Sequence, residues 1–489
     1  MHRVWFLLPV CLLAVGHISC VSPSREGLPP NSPFGNAVVL ATDLLPQGIG
    51  VGDVSATSAL LWVRTDGPAT VQVEWATPAM WDMASKLATA MAPVPRTAEL
   101  TSTADTDYTL SIPLAGLTPA TRYRYHVLIA RDGKTPHSSK LRLAARGEWT
   151  TLPDVGTSAP VTFAWSADLG GQGRCRQGPE GYPIFDVMQR QNLDFFLFLG
   201  DTIYSDDSCP APPNEPGADF VATTLDEYRA RHRYQRGAAA LRRFLESVPV
   251  YVTWDDHEVR NDFSGPFDPR MPAGRQALRE YWPISTHADE PHRLYRSVRY
   301  GADLELFILD TRQYRSRDTD LDGPVKTMLG AAQLKWLLDG LGNSTAIWRV
   351  IATSVPLSVP KGGAGYSDGW AAGPNAPGFE RERQVLVDAI VQRRMKNVVF
   401  LGGDVHYVQA NAYDPNRDGT IDFHEFVAGP LSARPGRQTP ASDTLHPTRL
   451  VNEGGYQNFG LIRITKTSLE VMVVDETGGT RFTHRITAR

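Results

Sequence analysis

Hydrophobic residues follow two different rhythms along this chain. Between residues 39 and 153 they alternate with polar ones over short runs. In YRYHVLI, Tyr123, Tyr125, Val127 and Ile129 take every second position, the pattern of a half-buried strand. SALLWVR (58–64) and ATVQVEW (69–75) are further strands, and the TDGP between them predicts a hairpin. ARDGK (130–134) predicts another turn. Short strands separated by turns predict a small β-sandwich over 39–153.

From residue 158 the apolar runs become continuous: VTFAWSAD, DFFLFLGD, VPVYVTWDD, LELFILDT, WRVIATSVP and NVVFLGGDVH. Helical patterns at 224–247, 331–341 and 380–394 lie between them. Strands without a polar face imply a sheet covered on both sides. The expectation for 158–489 is a layered α/β domain, helix on sheet on helix. The last segment, from GLIRITKTSLEVMVV to RFTHRI, reads as antiparallel strands turning at Thr477, Gly478 and Gly479.

The first residues read differently. Met1, His2 and Arg3 precede an almost wholly apolar stretch, 4–15, and small or polar residues follow. This predicts a signal peptide over 1–20 and an exported protein, followed by a Ser, Pro, Gly and Asn-rich linker over 21–38. HISC ends in Cys20 and resembles a bacterial lipobox, with His17 where that pattern usually has Leu. Lipidation of Cys20 would attach the protein to a membrane; simple cleavage would release it. Net charge is −4 with no basic run, which argues against nucleic acid as a partner. Cys175 and Cys209 are the two cysteines beyond the leader, and an oxidising compartment would allow them to pair.

The candidate chemistry lies at the ends of the apolar runs. Asp168 ends the first, Asp201 the second, Asp255, Asp256 and His257 the third, and Asp404 with His406 the last. In open α/β sheets the C-terminal rim of the strands is where ligands bind. Any one of these Asp residues could be a helix cap. Gathered together they would repel one another by on the order of several kcal/mol in a partly desolvated site. Cations relieve that repulsion, so the set predicts a metal site. Carboxylates, imidazole and a tyrosine suit iron, manganese or zinc, with calcium where oxygens dominate.

SADLGG, GDTIY, WDDHEVRND, LDTRQYR and GGDVHY, in this order, resemble the alkaline phosphatase D (PhoD-like) family of calcineurin-like metallophosphoesterases. GVGDVSATSALLWVR is similar to that family's N-terminal domain, and LTPATRYRY resembles a fibronectin type III or immunoglobulin-like strand. The resemblance implies Fe3+ held by Asp168, Asp201, Tyr204 and His406. It implies Ca2+ beside it, bridged by Asp201, with Asp256, Asp404 and Asn261 nearby; other divalent metals suit the same ligands. It also raises Cys175 as an iron ligand, a role that a disulfide to Cys209 would exclude. The implied activity is hydrolysis of extracellular phosphate esters, small or polymeric, with His257 as an acid near the leaving group. Arg312 would be a planar fork for phosphate oxygens, or else a surface salt bridge. The loop 361–379 would cover the rim and set mono- or diester preference. The alternatives are a non-catalytic binding protein on a phosphatase scaffold and a zinc hydrolase of another ester class.

DPNRDGTIDFHE (414–425) also matches a calcium-binding loop, with Asp414, Asn416, Asp418, Gly419, Asp422 and Glu425 at the expected positions. Strand-like residues flank it where helices should, so a polar hairpin turn is the other reading.

Overall fold

The structure is a computed structural model that describes residues 38–86, 94–131 and 141–489. The expected signal peptide, Cys20 and all but the last residue of the linker lie outside the described residues. Among the described residues, no helix is long and apolar enough to cross a membrane.

Three sheets make up the molecule. A five-stranded antiparallel sheet runs Val38–Val39, Arg142–Thr150, Arg122–Ala130, Ala69–Ala76 and Leu100–Ser102. The alternation read from the sequence is its inner face: Tyr123, Tyr125, Val127 and Ile129 are buried, and Tyr123 and Tyr125 pack on Trp149. The second sheet has nine strands and the third has seven. At the centre of the nine-stranded sheet, Val161–Ser166, Phe195–Leu199 and Val250–Thr253 are parallel. Leu304–Ile308, Trp348–Ala352 and Val398–Gly402 are likewise parallel at the centre of the seven-stranded sheet.

The two large sheets face each other. Phe163, Leu197 and Ile462 of one share a core with Leu306, Val350 and Val399 of the other. Helices cover the outer faces. Ala239–Ser247 buries Ala240, Leu241, Phe244 and Leu245, spaced as one helical face, against the nine-stranded sheet. Gly330–Asn343 and Glu380–Gln392 cover the seven-stranded sheet. The helix–sheet–helix expectation thus becomes helix–sheet–sheet–helix. A strand buried on both faces reads as the same continuous apolar run whether a helix or a second sheet covers it.

The two rhythms do not mark two separate sheets. Ile49–Gly52 pairs in parallel with Val250–Thr253 at Gly52 and Val250, and carries Ser58–Arg64 and Thr109–Ala115 into the nine-stranded sheet. Gly52 permits this close approach, because a Cβ there would lie 2.5 Å from the Val250 carbonyl oxygen.

The calcium-loop reading of 414–425 is corrected here. Val408–Tyr413 and Phe423–Val427 pair antiparallel, so the segment between them is a hairpin connection. Asp414 accepts the backbone N–H groups of Asp418 and Gly419 at 3.1 and 2.9 Å. Glu425 lies inside the second strand, fully buried, and accepts from the Leu357 N–H and the Tyr413 hydroxyl. It cannot close a calcium loop with Asp414, Asn416, Asp418 and Asp422.

Candidate metal centre

Parallel strands place their C-terminal ends on one rim, and the acidic residues follow directly. Asp168, Asp201, Asp404 and His406 take left-handed backbone conformations, with φ of +68°, +51°, +75° and +60°. Asp and His are among the residues that tolerate this region, and such strain collects at functional sites. Gly200 precedes Asp201 at φ +99°, and a Cβ there would come within 2.5 Å of the Asp255 Cβ. Glycine therefore lets two strand ends touch. Glu258 splints the same junction: its carboxylate accepts from the N–H groups of Asp201, Thr202 and Asp255 at 3.1, 2.6 and 2.9 Å.

One ligand atom each of Asp168, Asp201 and His406 lies within 4.8 Å of the others. The Tyr204 hydroxyl is 2.8 Å from His406 Nε2. His406 Nδ1–H donates to the Arg434 carbonyl at 2.8 Å, which leaves the Nε2 lone pair facing Tyr204 and Asp168. Asp168 is fully buried, and neither of its carboxylate oxygens has a hydrogen-bond partner. A buried carboxylate in that state is costly unless a cation completes it. Burial, then Asp256, Asp255, Glu258 and Asp168, push the Asp201 carboxyl well above its usual range. Burial, then Asp201, Asp168, Asp256 and Asp404, push the Tyr204 phenol up as well. These residues fit a metal ion of hard to borderline character.

A second group, Asp255, Asp256 and Asp404, adjoins the first, and Asp256 also lies with Asp201 and His257. It is already charged from within. Lys361 Nζ contacts Asp404 and lies 3.4 Å from Asp368, 3.8 Å from Asp256 and 3.9 Å from Asp262. Burial alone would raise the Asp256 carboxyl, but Lys361, His257 and Arg312 outweigh it and hold it well below the usual range.

His257 Nδ1 hydrogen-bonds Asp206 at 2.6 Å, and its ring stacks on Tyr204 with centroids 4.0 Å apart. Burial opposes its charge, yet Asp256 and Asp206 hold the imidazolium up to about 9. Asp206 also accepts the Asn261 N–H at 2.7 Å. Asp201, His257, Asn261, Lys361, Asp404 and His406 all line one open cavity of about 300 Å³.

Two expectations are corrected. Arg312 is completely buried, donating to Asp255 at 2.7 Å and as a fork to Asp368 at 2.5 and 2.7 Å. It is neither a phosphate fork nor a surface salt bridge; it neutralises acids beneath the rim. Cys175 is bonded to Cys209, so its sulfur is not a metal ligand. Sequence reasoning also missed Asp206, Glu258, Lys361, Asp262 and Asp368. Glu258 and Asp262 sit in the quoted WDDHEVRND, and Asp206 lies two residues past GDTIY; only their partners reveal them. Lys361 and Asp368 lie in a loop without periodic pattern.

The model of the PhoD-like phosphatase family matches residues 165–473, and that of its N-terminal domain matches 36–153. This chain belongs to the PhoD-like phosphatase family. Alkaline phosphatase D of Bacillus subtilis (strain 168) is 30% identical over 404 residues, which cover 73% of this PhoD-like chain and 64% of the relative's length. Among solved structures, one titled "Structure of PhoD" covers 92% of this chain and 94% of its own, with a TM-score of 0.70 and 24% identity. Purple acid phosphatase PPD1 from yellow lupin (Lupinus luteus) seeds aligns with a TM-score of 0.62 at 12% identity, over 91% of this chain and 75% of its own. Both structures are relatives in fold.

Proposed function

We propose that this PhoD-like protein is an exported, metal-dependent phosphoric ester hydrolase acting on extracellular phosphate mono- or diesters. The observation that carries the reading is Asp168, buried and unpartnered among Asp201, Tyr204 and His406. Those four would hold the metal, which by family resemblance would be Fe3+. A metal bound there supplies Lewis-acid polarisation of the phosphoryl group and a water of lowered pKa. By the same resemblance Ca2+ would lie beside Asp256, Asp404 and Asn261, where a lysine ammonium already stands.

The chain's own groups would do the rest. Asp206 fixes His257 through Nδ1, so that Nε2 is the ring atom left to serve the cavity. From there His257 would donate a proton to the departing alkoxide oxygen. The cavity walls, Asn261 and Lys361 among them, would orient the ester and keep its phosphoryl oxygens in reach. Export is supported by the leader-like residues 1–20 and by the Cys175–Cys209 disulfide, which suits an oxidising compartment.

The test is turnover of p-nitrophenyl phosphate and its bis-ester by protein as purified, after chelation, and after metal is returned. Expected is activity lost on chelation and restored by iron. Metal-bound protein that turns over neither ester would overturn the hydrolase reading and favour a binding role.

A further inference from the structure

Lys361 stands inside the acidic group rather than at its margin. Its ammonium contacts Asp404 and lies within 4 Å of Asp256, Asp262 and Asp368. Arg312 and Arg315 already serve the acids below: Arg312 takes Asp255 and Asp368, and Arg315 takes Asp368 at 2.6 Å. Among the described residues, Asp404 and Asp262 have no guanidinium partner, and Asp256 has Arg312 only at 3.7 Å. On the cavity side Lys361 is therefore the cation that reaches Asp404 and Asp262, while Asp256 lies between it and the His257 ring, 4.0 Å away.

The turn that delivers Lys361 is anchored. Its carbonyl accepts the Asp368 N–H at 2.9 Å and the Ser367 hydroxyl at 2.8 Å. Gly362 follows at φ +122°, where a Cβ would meet the Tyr366 carbonyl oxygen at 2.6 Å. The side chain is 23% exposed, so the stem is enclosed and the head reaches the cavity. A divalent ion on Asp256 and Asp404 would need the same oxygens, and two cations a few ångströms apart repel strongly in a partly desolvated site.

We infer that Lys361 takes the place of a second metal ion in this chain. Its ammonium neutralises Asp256 and Asp404 and holds a phosphoryl oxygen of the ester, while metal occupies only the group of Asp168, Asp201, Tyr204 and His406. This rests on the metal-dependent reading above and departs from the iron and calcium pair that family resemblance implies.

Calcium binding to the full chain, followed by calorimetry and by metal content after dialysis, tests it without reference to turnover. Lys361→Met is compared with the unsubstituted protein, so that any calcium held elsewhere cancels. Expected is about one more calcium ion per chain in the variant at millimolar calcium. Lys361→Gln, which keeps a hydrogen-bond donor, should show a calcium-dependent rise in melting temperature that the unsubstituted protein lacks. Equal calcium uptake by the lysine and methionine forms overturns the inference, as does a glutamine variant whose stability ignores calcium. Failure of the hydrolase reading is seen separately, as metal-loaded protein without ester turnover.

Discussion

In the proposed reading, Asp168 would hold the metal and His257 would transfer the proton. Asp168→Asn keeps the shape of the side chain and removes the charge. We expect it to lower kcat/KM by at least about 100-fold and to lose bound metal by elemental analysis. Asp206→Asn should act through His257. Its loss frees the imidazole to turn, so kcat should fall roughly 10- to 100-fold with KM little changed, and bound metal should stay at its original level. Strand-tip acids were readable because each ends an apolar run, where a charge is conspicuous. The rest of the constellation was not. Arg312 looks in sequence like an exposed fork, and only its burial against Asp255 and Asp368 shows that it works from below. Lys361 carries no pattern at all; its meaning comes from where a loop folds back.

At the scale of elements, the helix Ala239–Ser247 carries a liability in its last turn. Glu246 has a buried oxygen without a hydrogen-bond partner, and Arg242 is its closest cation at 3.8 Å. Burial pushes its carboxyl up from 4.5 to about 7, against the pull of Arg242 and Arg236. A raised carboxyl binds its proton more tightly in the folded chain. Stability is therefore lost as pH climbs from 4.5 towards 7, and the full penalty, on the order of 3 kcal/mol, applies above that. It also sits at the negative end of the helix dipole. Glu246→Gln should raise the melting temperature by a few degrees at pH 8 and leave it unchanged near pH 4, a contrast that calorimetry at the two pH values reads directly. Most elements were legible at this scale. Alternation marked Arg122–Ala130, and continuous apolar runs marked the parallel strands. The 414–425 stretch misled because loop acids share the spacing of a calcium site, while Glu425 belongs to the strand beyond.

Across the whole molecule, the Cys175–Cys209 bond ties the loop after Val161–Ser166 to the loop after Phe195–Leu199, 34 residues apart. Closing a loop of that length restrains the unfolded chain by about 3–4 kcal/mol in the entropic account. Replacing both cysteines with serine should lower the unfolding midpoint in denaturant while metal content stays the same, because neither sulfur is a ligand. Hydrophobic rhythm distinguished the N-terminal strands from the rest, yet it could not report that three of them finish the larger sheet. Partner strands leave no mark in local periodicity.

That shared sheet bears on how the polypeptide comes apart. Residues 154–158 are exposed and join the two rhythms, so a protease would cut there readily. Because Ile49–Gly52 is laced to Val250–Thr253 and the core is common to both pieces, the nicked protein should still migrate as one particle on gel filtration and separate only in denaturant. Fragments that drifted apart in buffer would mean that the seam at Gly52 is a contact of convenience. If they stay together, the amino-terminal piece is a wall of the molecule rather than an accessory hung on it.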